Sequence, residues 1–184
     1  MRKNFGSKSY LYPMPVLIIG TYNEDGSSNA MNAAWGGISD YDKISIALAS
    51  HKTTDNLLRT KAFTVSVGVK SAVEACDYVG LVSGNKVPDK VKKAGLNPIK
   101  SEFVNAPLFD ELPFALECEV IEFDKEKEIL TGKIINVSVD EKVLTDGNID
   151  IKKLSPITYD PYNHNYVEIG NIIAKAFECG KKFD

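Results

Sequence analysis

Hydrophobic and polar positions alternate along this chain in short runs that predict mostly β-strands. Pro15–Tyr22 (PVLIIGTY) is rich in branched residues and is followed by Asn23–Gly26, where Asp-Gly supplies the positive-φ backbone of a tight hairpin. Ser28–Ala34 is therefore predicted as the returning antiparallel strand. Alternation predicts two further half-buried strands, at Lys43–Ala49 and Phe63–Val69.

The second half of the chain returns to strands after two predicted helices, Ser71–Val82 and Val87–Ala94. A strand that starts at Phe114 keeps its apolar face until Ile121, where the phase slips and a β-bulge is predicted. The next strand follows a charged turn. Its inward-facing side chains are predicted to be Ile135, Val137 and Val139.

Six or more short strands joined by hairpins, with only a few short helices inserted, predict a mainly β fold, a closed antiparallel β-barrel. Helices are missing between most strands, which excludes a doubly wound sheet. Neither GxGxxG nor GxxxxGK occurs, so the usual dinucleotide and P-loop sites are excluded. With 184 residues, 43% of them hydrophobic and 26% charged, the chain is expected to form one domain over 1–184.

Charge and composition narrow the classes of partner. The formal net charge of −3 offers no basic face for nucleic acid. The longest apolar run, near Pro15, is too short for a secretion signal or a membrane span, so no membrane association and a cytoplasmic location are expected. Three separated cysteines without a CxxC motif fit a reducing compartment. The two histidines have no acidic or thiol cluster beside them, so no metal site is expected.

The first stretch with candidate chemistry is Ser50–Asn56 (SHKTTDN). A phosphate requires several converging donors, and the start of a helix supplies free amides and a favourable dipole. Lys52 adds a positive charge and nearby hydroxyls add donors. Thr53 or Thr54 is expected to cap a helix that runs to about Lys61. The alternative is an ordinary loop followed by an N-capped helix.

The second stretch is Asn29–Trp35 (NAMNAAW). Its alanines allow a flat ring to lie close to the strand, and Trp35, the single tryptophan, can stack on that ring or wall its pocket. The alternative places Trp35 in the core. Together the two stretches predict a floor for a planar ring and a cradle for an anionic tail, as flavin mononucleotide (FMN) requires.

No catalytic acid or base is assigned, because the flavin itself carries the difficult chemistry of hydride transfer. His51 and His164 are each interpreted as surface or hydrogen-bonded residues. Cys76, inside a predicted helix, is interpreted as packing rather than as a redox thiol.

Five stretches in order resemble the flavin reductase-like family, and its flavoredoxin branch in particular. They begin with PMPVLIIGTYNEDGSSNAMNAAWGG and ISIALASHKTTDNLLRTKAFTVSV. Then follow DYVGLVSGNKVPDKVKKAGL, LPFALECEVIEF and YVEIGNIIAKAF, so that the resemblance spans roughly Tyr12 to Phe183. It implies an FMN-binding split β-barrel, a homodimer, and a flavin reduced by NADH or NADPH that passes electrons onward.

The resemblance also implies which residues contact FMN. The ring is expected against Met31–Trp35, the phosphate in the loop Ser50–Thr54 near Asn56, and Tyr166 at the far end of the site. The full set of cofactor-binding residues expected is Asn29, Met31, Asn32, Ala33, Ala34, Trp35, Ser50, His51, Lys52, Thr53, Thr54, Asn56 and Tyr166.

The chain departs from the family pattern at two places. Lys52 stands where members often carry arginine, and Asn32 stands where threonine is common. Lysine gives charge without a planar fork, so its phosphate contacts are less bidentate. Two alternatives to an NAD(P)H-dependent oxidoreductase stay open at this point: an FMN-bound electron carrier reduced by another protein, and a barrel that binds no flavin and serves as an interaction module.

Overall fold

The computed structural model describes residues 1–183, and most of its regular structure is β. The strands in chain order are β1 (Met14–Pro15), β2 (Leu17–Tyr22), β3 (Ser28–Ala33), β4 (Gly36–Asp40), β5 (Lys43–Ala47), β6 (Ala62–Val67), β7 (Pro98–Lys100), β8 (Pro107–Phe109), β9 (Phe114–Asp124), β10 (Ile129–Val139), β11 (Leu144–Thr145), β12 (Asn148–Ile149), β13 (Ile157–Asp160) and β14 (Asn165–Glu168). The helices are α1 (Lys52–Thr60), α2 (Val73–Leu81), α3 (Lys90–Lys93) and α4 (Ile151–Leu154). Short 3₁₀ turns lie at Lys70–Ala72, Glu141–Val143 and Lys181–Phe183.

A seven-stranded antiparallel sheet, in the order β3-β2-β6-β9-β10-β5-β4, forms the body of the protein. Smaller sheets are β1-β13-β14, β7-β8 and β11-β12. The predicted hairpin at the start of the chain is confirmed: Leu17 pairs with Ala33 and Tyr22 with Ser28. Gly26 in its turn has a φ of +83°, a conformation that glycine adopts without steric cost.

The large sheet curls so that its two edge strands, β3 and β4, are consecutive in the sequence and joined only by Ala34 and Trp35. At this junction the chain stops pairing with β2 and begins to pair with β5, and the Ala47 N–H donates to the Trp35 carbonyl at 2.8 Å. The two edges do not hydrogen-bond to each other, so the ladder is open. The predicted antiparallel architecture is confirmed, whereas the predicted closed barrel is not.

The hairpin of β9 and β10 contains the predicted bulge. Glu122 pairs with Thr131 and Val120 with Gly132, which leaves Ile121 as the extra residue. A second register shift follows on β10, between Ile134 and Asn136. This shift changes which face of the sheet the side chains from Ile135 onward point to. Ile135 and Val137 are both exposed, so the prediction that they face inward is wrong. Val139 is partly buried.

Apolar side chains pack on both faces of the sheet. One cluster fills the inside of the curl around Phe63, Leu57 and Leu130. The other lies between the outer face and helices α2 and α3, around Ile18 and Val79. Strand β2 therefore buries successive residues on opposite faces, which explains its unbroken apolar sequence.

The cysteines follow the two cores. Cys76 lies in the outer cluster and Cys118 in the inner one. Burial raises the pKa of Cys76 to about 11 and that of Cys118 to about 12, as expected for packing residues rather than reactive thiols. Within residues 1–183, none of the helices is long and apolar enough to cross a membrane.

Candidate functional site

A buried network of amides and hydroxyls holds the start of α1 against the β2–β3 hairpin. The Asn29 side-chain amide donates to Thr53 Oγ1 at 2.8 Å and to Thr21 Oγ1 at 3.4 Å. The Asn56 amide donates to the same Thr21 oxygen at 3.2 Å and to Asn23 Oδ1 at 2.8 Å. Asn29, Thr53 and Asn56 are each almost fully buried. The first turn of α1 is thereby fixed in position relative to β3.

The N-cap of α1 differs from the prediction. The helix begins at Lys52 with His51 as its N-cap, so the prediction of a Thr53 or Thr54 cap is wrong. Thr53 uses its hydroxyl in the buried network, and Thr54 donates to the Ala49 carbonyl at 2.8 Å and accepts from the His51 N–H at 3.4 Å. The predicted end at Lys61 is confirmed, since that residue is the left-handed C-cap.

A cleft of about 320 Å³, here called the helix cleft, opens beside this first turn. Its polar lining comes from His51, Lys52 and Thr53 on one side and from Ser83, Gly84 and Lys90 on the other. The first intrahelical bond is made by the Asp55 N–H to the His51 carbonyl at 3.1 Å. The amides before it make no i→i−4 bond and lie at the positive end of the helix dipole, and the Thr54 amide is capped by the His51 side chain.

Lys90 is a buried cation at the wall of the helix cleft. Its Nζ donates to the Val79 and Val82 carbonyls, each at 3.0 Å, at the end of α2. Burial lowers the pKa of Lys90 to about 8 because the charged form loses hydration. The ammonium has three N–H donors and these two carbonyls use two of them, so the third can bind an anion in the cleft.

A second cleft of about 370 Å³, the strand cleft, follows the junction between β3 and β4. Met31, Asn32, Ala33, Ala34 and Trp35 form one wall. Trp35 is 61% exposed, which removes the alternative that it is a core residue. The wall therefore offers small side chains and an exposed indole, the surface that a planar ring requires.

A third cleft of about 360 Å³, the hairpin cleft, lies between α2 and the β13–β14 hairpin. Tyr166 is one of its residues and donates to Asp77 Oδ1 at 2.8 Å. Burial and, second, this hydrogen bond raise the pKa of Tyr166 above its ordinary value. Asn32 donates to the Cys76 carbonyl at 3.0 Å and to the Tyr166 hydroxyl at 3.4 Å.

The three clefts meet at Asn32, which lines all of them. α2 approaches β3 closely here, because a Cβ on Gly80 would lie 2.9 Å from the Asn32 Cβ. The structure thus brings most of the sequence-predicted residues into one groove. Those lining it are Met31, Asn32, Ala33, Ala34, Trp35, His51, Lys52, Thr53 and Tyr166.

The other four predicted residues lie beside the groove and do not line it. The side chains of Asn29, Thr54 and Asn56 are turned inward into the hydrogen bonds described above, and Ser50 is exposed. Sequence reasoning missed several polar lining residues, namely Asp77, Ser83, Lys90, Lys127, Glu128, Tyr159 and His164. The predicted helices already contained Lys90 and Asp77, but no periodicity shows that these particular polar side chains turn toward a cleft.

The groove is electrically divided along its length. Lys52, Lys90 and the helix start lie at one end, and the hairpin cleft at the other carries the Asp77 carboxylate. The strand cleft, with its indole, adjoins both of them at Asn32. This order suits a ligand with an anionic tail and a planar body.

Comparison with known proteins agrees with this geometry. Residues 9–167 match the family model for the flavin reductase like domain. The chain belongs to the flavin reductase-like family. Its structure is similar to that of flavoredoxin from Desulfovibrio vulgaris (Miyazaki F), with 36% identity, a TM-score of 0.93, and coverage of 98% of this chain and 100% of that one.

Two other solved structures are similar to this chain at lower sequence identity. A flavoredoxin from Methanosarcina acetivorans is 26% identical with a TM-score of 0.87, and each chain is covered completely. The FMN-binding domain of a flavin reductases-like enzyme from Shewanella baltica OS155 is 17% identical with a TM-score of 0.77, over 87% of this chain and 88% of that one, and shares the fold. The predicted resemblance to the flavoredoxin branch is confirmed, and membership of the family supports a flavin-related redox function.

Proposed function

We propose that this flavin reductase-like protein binds FMN without a covalent bond, with the phosphate in the helix cleft and the ring against the strand cleft. The observation that carries the proposal is the gathering of Lys52, Lys90 and the first amides of α1 at the helix cleft, which adjoins the strand cleft lined by Trp35. The Shewanella structure is described as FMN-binding, which supports the choice of flavin.

At the phosphate end, this chain supplies donors from three elements. Lys52 and the first amides come from α1, Ser83 from the loop after α2, and Lys90 from α3. Gly84 lies tightly against this site, since a Cβ there would stand 2.5 Å from Asn29 Oδ1 and 3.4 Å from Lys52. The loop can therefore approach the helix start closely enough for a phosphate to be held from both sides.

At the ring end, Met31–Trp35 would form the floor, and Tyr166 closes the groove beside Asn32. Bound FMN would supply the redox chemistry, taking a hydride from NADH or NADPH and giving electrons to an acceptor. The chain's own part is to hold and orient, so no catalytic acid or base is assigned to it. This makes the protein an FMN-dependent oxidoreductase of the flavin reductase type.

An electron carrier is the second candidate function. The two similar flavoredoxins support it by their name alone, and the exposed Trp35 would leave the flavin accessible to a partner protein. We also propose a homodimer in the cytoplasm. The homodimer is supported by the exposure of large apolar side chains in the C-terminal segment, including Ile172, Ile173 and Phe177.

Substitution of Lys52 tests the phosphate cradle. Lys52→Ala should weaken FMN binding by roughly 10- to 100-fold, because a charge-assisted bond contributes about 1.5–3 kcal/mol. Riboflavin has the same ring without the phosphate, so its Kd should not change. Both constants are measured by fluorescence quenching, with Lys125→Ala on the exposed turn as the control. An equal loss for both ligands would contradict the cradle, and wild-type protein that takes up no FMN would support a non-flavin interaction module.

The pKa of Lys90 predicts a pH dependence. In the FMN-free protein the ammonium loses its proton around pH 8. A phosphate dianion favours the protonated form, so FMN binding takes up a proton and its Kd should rise by up to about tenfold per pH unit above pH 8. Lys90→Met should bind FMN more weakly at neutral pH with a flat profile. Wild-type riboflavin binding is the control, and a flat wild-type FMN profile would exclude Lys90 from the phosphate site.

Rapid mixing distinguishes the reductase from the carrier. FMN-loaded protein is mixed anaerobically with NADH or NADPH, and the flavin absorbance is followed. A flavin reductase should bleach with at least one nucleotide at a rate that supports turnover. Bleaching too slow for turnover with both nucleotides would favour the carrier while leaving the FMN site in place.

A further inference from the structure

The hairpin cleft contains two side chains, Tyr159 and His164, to which the proposed FMN site gives no role. Tyr159 and Tyr166 are directly paired across β13 and β14, and their ring centroids lie 6.2 Å apart. The Tyr159 hydroxyl lies 2.6 Å from Nδ1 of His164. Val16 and Leu81 supply apolar walls.

The turn between β13 and β14 fixes His164 in this place. Asp160 accepts from the Tyr162 and Asn163 amides at 2.9 and 3.2 Å and from the Tyr12 hydroxyl. The His164 N–H donates to the Asp160 carbonyl at 2.9 Å. His164 itself has a φ of +60°, a conformation that a non-glycine residue adopts only at a cost in free energy. The turn thus holds an imidazole where glycine or asparagine would be less strained.

The Tyr159–His164 pair always presents a proton donor. When the tyrosine donates to Nδ1 of a neutral imidazole, the imidazole carries its proton on Nε2. When Nδ1 carries the proton and donates to the tyrosine oxygen, the tyrosine O–H is free. Either arrangement leaves one donor for an acceptor atom.

The charges around the hairpin cleft limit what it can bind. Of its lining residues in the described part of the chain, none is Lys or Arg, and the one carboxylate is Asp77. The helix cleft, by contrast, is lined by Lys52 and Lys90. An anionic ligand would therefore lose hydration in the hairpin cleft without gaining a positive partner.

We propose that the hairpin cleft is a substrate subsite for an uncharged planar aromatic carbonyl compound, whose oxygen accepts a hydrogen bond from the Tyr159–His164 pair. The inference rests on the proposed function, because the cleft shares Asn32 and Ala34 with the strand cleft and so adjoins the ring site. Tyr159 and His164 act here as specificity-determining residues, and Asp77 rejects anions.

Benzamide and benzoate test the proposal, because they have nearly the same shape and differ in charge. FMN-loaded protein is titrated with each by calorimetry. Benzamide should bind at least about tenfold more tightly than benzoate, and Tyr159→Phe should weaken benzamide binding by about tenfold. Asp77→Asn should narrow the preference for benzamide. Tyr162→Phe, on the same turn but outside the cleft, is the matched control, and His164→Asn keeps a residue that tolerates positive φ.

The FMN affinity of every variant is measured first, so that two failures can be told apart. Wild-type protein that takes up no FMN contradicts the proposed function and this inference with it. FMN-loaded protein that binds benzoate as tightly as benzamide overturns only the subsite. So does a folded Tyr159→Phe variant with unchanged affinity for benzamide.

Discussion

The buried hydrogen bonds between Asn29, Thr53, Thr21 and Asn56 are the constraint on which the site depends. They join α1 to the β2–β3 hairpin, and both elements contribute walls to the groove. A buried amide or hydroxyl left without its partner costs about 1–3 kcal/mol, so the network favours a single placement of the helix start. The phosphate end and the ring end are thereby held in a fixed relation by buried groups, of which only Thr53 also lines the groove.

The same groove is ordered by charge from one end to the other. Lys52, Lys90 and the first turn of α1 line the helix cleft, and the Asp77 carboxylate lies with Tyr159 and Tyr166 in the hairpin cleft. Placing the Lys90 ammonium beside the helix cleft costs free energy of hydration, and this cost lowers its pKa. An anion bound in the helix cleft would relieve that cost. The arrangement therefore favours one orientation of a tailed ligand.

Local patterns predicted the parts of the fold that local physics determines. The Asp-Gly hairpin, the bulge at Ile121 and the end of α1 near Lys61 each follow from neighbouring residues. The open sheet does not follow from neighbouring residues, because it depends on whether the edge strands β3 and β4 hydrogen-bond to each other. The exposure of Ile135 follows a register shift that alternation alone does not show. Lys90 was missed because a lysine on a short helix is normally solvated.

The affinity of Asn29→Ala for FMN tests most directly whether the buried network positions the site, since the Asn29 side chain lies outside the groove. The account predicts a folded variant that binds FMN about tenfold more weakly while its affinity for riboflavin changes little. Thr53→Val removes the oxygen that accepts from Asn29 and should weaken FMN binding similarly. Asn105→Ala on an exposed loop is the control and should leave the affinity for FMN unchanged. Folded Asn29→Ala protein with wild-type affinity for FMN would contradict the account.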